Sequence, residues 1–224
     1  MEYIGRGVLA AVLTFLISAS AVAQESGSAP PALPKWDIAG GLGLLYLRSG
    51  ELFSPCTCGV DYWDQTAEFR IDFGRYWTEH IKTSVSVGLS PDFDDYETRI
   101  LQIDGIDRYV GNERAARVRT VSPSVTYQFL SNTFMHPYVS GGVRVAVVDE
   151  HRFREPSTYQ FSGVRYAVPR LDERRTLVLA KPFLAAGAKS YLSDTAFVRS
   201  EILTAFRSDG ITQVSLHLGV GLDF

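Results

Sequence analysis

The chain closes on Ser215–Phe224, SLHLGVGLDF, and the reading of this stretch decides the fold. Every second residue is apolar: Leu216, Leu218, Val220, Leu222 and Phe224, continuing a row that begins at Val214. Between them stand Ser215, His217, Gly219, Gly221 and Asp223. Strand side chains point alternately to opposite faces, so this spacing predicts a strand with one oily face and one small or polar face. Soluble domains usually end in a few frayed polar residues. Here the pattern runs to the last side chain, and the expectation is that a membrane, not solvent, sets where the strand stops.

The same alternation recurs upstream. Trp36, Ile38, Leu42, Leu44 and Tyr46 oppose Asp37, Ala39, Gly41 and Gly43, while Phe69, Ile71 and Phe73 oppose Glu68, Arg70, Asp72 and Gly74. Ile81, Val85, Val87 and Leu89 oppose Lys82, Ser84, Ser86 and Gly88. Val121–Phe129, Val139–Val147, Lys181–Lys189 and Val198–Phe206 continue the series. With the terminal segment this predicts about eight strands of roughly ten residues, the length a tilted strand needs to cross a bilayer. Connections alternate between short turns, at Thr78-Glu79, Ser131-Asn132 and Ser193-Asp194, and long loops, after Arg48, from Asp92 to Arg114 and from Asp149 to Arg174. The last outer connection, Ser208-Asp209-Gly210, is brief and carries the Asp-Gly pair preferred in hairpins. Short turns at one end and long loops at the other are the plan of an all-β, eight-stranded antiparallel up-and-down transmembrane β-barrel.

Bulk properties agree. The 224 residues carry a formal charge of −3, which excludes the strong basic excess expected of a nucleic-acid binder. Val8–Ala23 is an apolar run ending in Ala21-Val22-Ala23, the A-x-A pattern of a cleaved secretory signal peptide. Residues 1–23 are therefore expected to be removed, residues 24–35 to form a flexible periplasmic lead-in rich in Ser, Ala and Pro, and residues 36–224 to form the barrel domain.

Alternation alone does not say which face is outside, since a lipocalin-type barrel has the same pattern with its apolar side inward. Three observations put the oil outside. The polar face is mostly Gly, Ser, Ala and Thr, as a narrow eight-stranded interior requires. Arg70, Asp72, Arg144, Arg199 and Glu201 sit mid-strand on that face, where they can pair with one another across the lumen. Aromatics gather near strand ends (Trp36, Tyr46, Tyr76, Trp77, Tyr127, Phe129, Tyr138), at the level of interfacial girdles.

The terminal His217, Gly219, Leu222 and Phe224 resemble the C-terminal assembly signal of bacterial outer-membrane barrels, with Leu222 where an aromatic is common. Residues 36–224 resemble the small eight-stranded barrels typified by outer membrane proteins A, X and W. The resemblance implies the cell outer membrane as location, the barrel-assembly machinery as a partner in biogenesis, and outer-membrane lipids and lipopolysaccharide as surroundings. It leaves no region for a following peptidoglycan-binding domain. The chain is read as a porin-like monomer without nucleic acid or cofactor, acting non-enzymatically in envelope structure or surface interaction through its long extracellular loops. A narrow conduit for small or apolar solutes is the second reading and a lipid-modifying enzyme the third.

Other clusters carry less. Cys56 and Cys58, in an oxidising compartment, favour a local disulfide ahead of intermolecular bridging or free thiols, and two thiolates fall short of a four-ligand zinc cage. The acidic Asp92, Asp94, Asp95 and Glu97 lack EF-hand spacing. None of His80, His136, His151 and His217 stands beside a nucleophile in a recognisable catalytic motif, and no metal site or catalytic residue is assigned.

Overall fold

The computed structural model describes residues 35–48, 63–103, 105–130, 134–161 and 163–224. The expected signal peptide, all of the lead-in but Lys35, and the Cys56/Cys58 pair lie outside the described residues. Eleven strands follow in order: β1 (Trp36–Arg48), β2 (Trp63–Tyr76), β3 (Ile81–Leu89), β4 (Phe93–Ile103), β5 (Ile106–Gln128), β6 (Met135–Arg154), β7 (Ser157–Phe161), β8 (Val164–Val168), β9 (Leu171–Tyr191), β10 (Ala196–Arg207) and β11 (Gly210–Asp223).

Eight of them, β1, β2, β3, β5, β6, β9, β10 and β11, pair antiparallel in a ring, β1 against β11 at one seam and β3 against β5 at the other. Closure satisfies every ladder N–H and C=O without water, which a membrane interior demands. At the first seam the Trp36 N–H donates to the Phe224 carbonyl at 2.9 Å, and the Phe224 N–H returns a bond to the Trp36 carbonyl at 2.9 Å. The terminal residue is thus the last rung of the closing ladder, its ring exposed at the rim.

The faces follow the alternation. Leu42, Phe69, Ile71, Phe73, Val85, Val87, Val125, Leu184, Leu218 and Val220 all lie open on the outer wall. Their neighbours Asp37, Glu68, Arg70, Asp72, Lys82, Arg144, Gln213, Ser215 and His217 are buried inside. A sheet that exposes its branched aliphatic side chains and buries its ions is a barrel turned towards lipid. The inner face is also crowded. A Cβ at Gly219 would meet the backbone carbonyl oxygen of Gly40 at 2.8 Å and the Gly41 Cα at 3.2 Å, so the Gly41–Gly219 rung works only without side chains.

Two expectations change. Tyr76 and Tyr138 do not belong to an outer girdle; both are buried and face inward, where their hydroxyls join ionic clusters. The second and third long loops are not irregular either. β5 has 23 residues, β6 has 20 and β9 has 21, about ten more than a crossing needs. The β5–β6 and β6–β9 ladders stay paired out to Glu113↔Phe153 and Arg154↔Leu171, and β4 continues β3 alongside β5. Pro91 lacks an N–H and sits at the β3–β4 break, where the register against β5 slips by one residue. Ser90 holds the gap, its N–H donating to the Val118 carbonyl at 2.9 Å and its hydroxyl accepting from the Val118 N–H at 2.8 Å. The extra length forms a sheet of β4, β5, β6 and β9 that projects past the outer rim. β7 and β8 make a separate hairpin at its end, turning at Gly163, whose φ of +80° favours glycine.

The face assignment is testable at Leu218, the most open aliphatic position on β11. Leu218→Arg is expected to cost about 2–4 kcal/mol if the site lies near the bilayer midplane. Ser215→Arg, pointing inward, should instead block closure. Denaturant titration of folding into lipid vesicles would measure both, and equal tolerance would contradict the faces.

Candidate functional site

The inward ions form layers along the barrel axis. Nearest the short turns, Asp37 on β1 and Asp223 on β11 meet Lys82 on β3 and Lys189 on β9. Lys82 Nζ lies 2.6 Å from Asp37 Oδ2, and Lys189 Nζ contacts Asp223 Oδ1 while standing 3.5 Å from Asp37. Tyr76 Oη accepts from Lys189 Nζ at 2.7 Å and donates to Asp37 Oδ2 at 3.3 Å. Lys189 also sits 3.8 Å from the centre of the Phe197 ring. Two carboxylates face two ammonium groups, so the layer is neutral.

The middle layer holds the five ions singled out by their place in the strands. Arg70 Nε lies 3.1 Å from Asp72 Oδ2 and its Nη2 lies 2.6 Å from Glu201 Oε1. Arg199 also reaches Asp72, whose other oxygen accepts from Ser86. The Tyr138 hydroxyl donates to Glu201 Oε2 at 2.8 Å. Arg144 stands apart from these four. Its Nη2 pairs with Glu68 at 2.5 Å, and with the Gln213 amide oxygen turned towards it, Nε and Nη2 donate at 2.7 and 3.0 Å.

His217 joins the two groups, at 2.9 Å from Glu68 Oε2 through Nε2 and at 3.2 Å from Arg70 Nη1 through Nδ1. A guanidinium has no lone pair to offer, so Nδ1 accepts and Nε2 carries the proton given to Glu68. Glu68, Asp72 and Glu201 then balance Arg70, Arg144 and Arg199, three against three. Sequence reasoning named five members and missed Glu68, His217, Tyr138 and Ser86. All four share the inward parity, which was the available signal.

Above this network one side of the lumen turns apolar. Leu45 and Leu47 on β1, Ala116 and Val118 on β5, and Ala146 and Val148 on β6 pack together inside, with Leu177 and Leu179 of β9 against them. The break is visible at Leu44-Leu45, where two apolar residues fall on opposite faces. A cavity in the middle layer, lined in part by Arg70, Asp72, Tyr138 and Glu201, measures only about 20 Å³. Beyond the apolar layer, in the projecting sheet, buried Glu150 pairs with Arg152 at 2.7 Å and with Arg175.

The outer face of the sheet is wet and mixed. Arg117 pairs with Asp92 at 2.7 Å, and Arg119 with Asp149. The His151 ring donates to Asp172 at 2.9 Å, and that bond, reinforced by Arg170, holds the Asp172 carboxyl below the usual carboxylate range. Tyr96 and Tyr109 stand 65% and 79% exposed, unusual for tyrosines with no lipid beside them. Of the acidic run, Asp92 is taken up by Arg117. Among the described residues no group of His, Cys, Asp and Glu could hold a metal ion. His217 is committed to the ionic network, and Phe224, Leu222 and Gly219 lie along the closing strand, with the Phe224 ring facing outward at the rim.

No protein-family model matches the chain, and a search of curated proteins by sequence finds no match. Solved structures match in fold. Ail, the attachment invasion locus protein of Yersinia pestis, crystallised with the heparin analogue sucrose octasulfate, aligns over 86% of this chain and 100% of its own at TM-score 0.52 and 10% identity. The outer membrane protein OprG from Pseudomonas aeruginosa aligns over 85% of this chain and 96% of its own at TM-score 0.52 and 12% identity. The fold is that of a small outer-membrane barrel. With a closed eight-strand ring, an apolar outer wall and an ionic lumen, the chain is assigned to the outer membrane.

The ionic core makes a quantitative prediction. Glu68→Ala leaves Arg144 buried without its carboxylate and should destabilise the barrel by about 3–5 kcal/mol. Replacing both with Met should recover most of that loss, since a buried pair is often worth no more than its apolar substitute. Urea unfolding of the refolded barrel, read by the heat-dependent gel shift, would compare the three proteins.

Proposed function

We propose that this outer-membrane barrel is a closed anchor whose work lies in surface interaction, carried by the projecting sheet of β4, β5, β6 and β9 with its β7–β8 hairpin. The observation that carries this reading is a lumen filled with paired ions and an apolar cluster beneath an extended outer sheet. Charges in the middle layer are spent on each other, and the Leu45–Val118–Val148 cluster fills part of the lumen with apolar side chains. The sheet, by contrast, adds length well beyond what spanning requires and exposes tyrosines, which supply large contact area at low entropic cost.

The sucrose octasulfate in the Ail structure is not carried over as a ligand. Residues 92–119 and 149–175 hold 12 acidic and 11 basic residues together, so the sheet presents a mixed surface and not a basic one. Such a surface suits a partner protein, read by tyrosines and by paired charges of both signs. His217, Gly219, Leu222 and Phe224 are retained as the proposed assembly signal, with outer-membrane lipids and lipopolysaccharide around the wall and a monomer as the working unit.

Planar-bilayer recording decides between anchor and conduit. The purified barrel is expected to give no stable conductance steps, and a reproducible single-channel step would overturn the reading. The lipid A mass profile of cells with and without the protein should be identical; a mass shift would move the protein to the enzymes.

A further inference from the structure

The lipid-facing wall is not smooth. Two shallow apolar grooves of about 570 and 460 Å³ lie on it and adjoin at Val125 and Gly141, open to the membrane as a channel in two parts. Its course follows a single rung of the sheet. Arg75 pairs with Thr83, Thr83 with Val125, Val125 with Gly141, and Gly141 with Leu184. Arg75 is next to the last residue of β2, at the rim of the short turns, whereas Leu184 lies seven residues before the end of β9 at Tyr191. The rung therefore climbs obliquely from the periplasmic rim towards the middle of the bilayer. Four strand spacings make a path of roughly 19 Å, and a strand tilt of about 35–45° turns it into a rise of about 11–13 Å, most of the way to the midplane of a hydrocarbon core about 30 Å thick.

The lower end of the channel is built differently from the rest. Arg75 is exposed on the outer wall, and its guanidinium lies 5.1 Å from the Trp36 ring centre and 4.3 Å from that of Trp77. Trp77 is held in place by its indole N–H, which donates to Thr83 Oγ1 at 2.9 Å, and Trp36 stacks on Phe73 at 5.2 Å. Among the described residues no carboxylate pairs with Arg75, whereas Arg48, Arg70, Arg117, Arg119, Arg144 and Arg199 each have one. Two aromatic faces thus hold a cation in a set orientation at headgroup depth, with its donor edge unspent. Arg is well suited to meet a phosphate through that edge.

We propose that this rung is a binding site for one phospholipid of the periplasmic leaflet. Its phosphate accepts from Arg75 between Trp36 and Trp77, and one acyl chain lies along Val125 and Gly141 towards Leu184. Charge complementarity fixes the headgroup end, and the absence of a side chain at Gly141 leaves room for the tail. The inference concerns the wall inside the membrane and does not depend on what the outer sheet meets.

Gly141 provides a second, sterically mild variant. A Cβ there would meet only Leu184 Cδ2 at 3.4 Å and the Phe183 carbonyl oxygen at 3.9 Å, ordinary contacts, so Gly141→Leu fills the groove without forcing the strands apart. Native mass spectrometry of the purified barrel, released from detergent after titration with phosphatidylglycerol, reads the site. The wild type should retain one lipid. Arg75→Gln should lower retention about tenfold, the worth of a charge-assisted hydrogen bond, and Gly141→Leu should lower it comparably. Arg207→Gln, at the opposite rim, should leave it unchanged, with an unaltered heat-dependent gel shift in every variant. Any of four results would overturn the proposal: no lipid on the wild type, wild-type retention by both groove variants, retention of phosphate-free diacylglycerol equal to that of phosphatidylglycerol, or a second copy of the chain in place of the lipid.

Discussion

Everything in this molecule depends on closing a narrow ring of strands in a solvent that offers no hydrogen bonds. An open edge in lipid would strand a row of N–H and C=O groups at several kcal/mol each, so β1 must find β11 and β3 must find β5. With eight strands the ring is too narrow for a water-filled channel, and its interior has to be packed with side chains. That explains why glycines line the inner face at the β1–β11 seam, where a Cβ on Gly41 or Gly219 would strike the facing backbone. It also explains why the first and last described strands meet on one ladder, with Trp36 and Phe224 exchanging backbone bonds.

Packing a lumen with ions works only if they cancel. Burying one carboxylate or guanidinium without a partner costs several kcal/mol, and pairing mainly repays that cost. The two inner layers meet this condition separately, two charges of each sign near the short turns and three of each in the middle. His217 links the Arg70 and Arg144 groups through its two ring nitrogens, so the middle layer behaves as one network anchored on β2, β6, β10 and β11. The apolar layer above it serves a different end. Leu45, Val118 and Val148 need no partners, tolerate the loss of water and pack together beneath the projecting sheet.

The same barrel presents three unlike surfaces: a packed core, a lipid-facing wall and a wet sheet beyond the outer rim. On the sheet, arginines are neutralised in pairs such as Arg117–Asp92 and Arg119–Asp149, while on the wall Arg75 is flanked by aromatic rings alone. The contrast is physical. In water a salt bridge is cheap to make and weakly held, whereas at headgroup depth a lipid phosphate is the anion proposed for Arg75.

The period-two pattern is local to each strand, and for that reason it was legible without the structure. Which side of each crossing meets lipid, how many crossings there are and which rim holds the short turns all follow from counting alternate residues. The inward placement of Arg70, Asp72, Arg144, Arg199 and Glu201 was legible on the same ground. Their partners were not. Glu68 and Arg144 are 76 residues apart and Glu68 and His217 are 149 apart, and only the stagger of a closed barrel brings them to one level. Tyr76 and Tyr138 looked like girdle residues because they stand near strand ends, yet parity turns them inward, to Asp37 and Glu201. The outer loops hid their strands because charged, wet sheets show no oily face to count. Sequence alone determined the wall, since lipid acts on every residue of it independently; the tertiary structure decided the core and the sheet, since those depend on which strands closure makes neighbours.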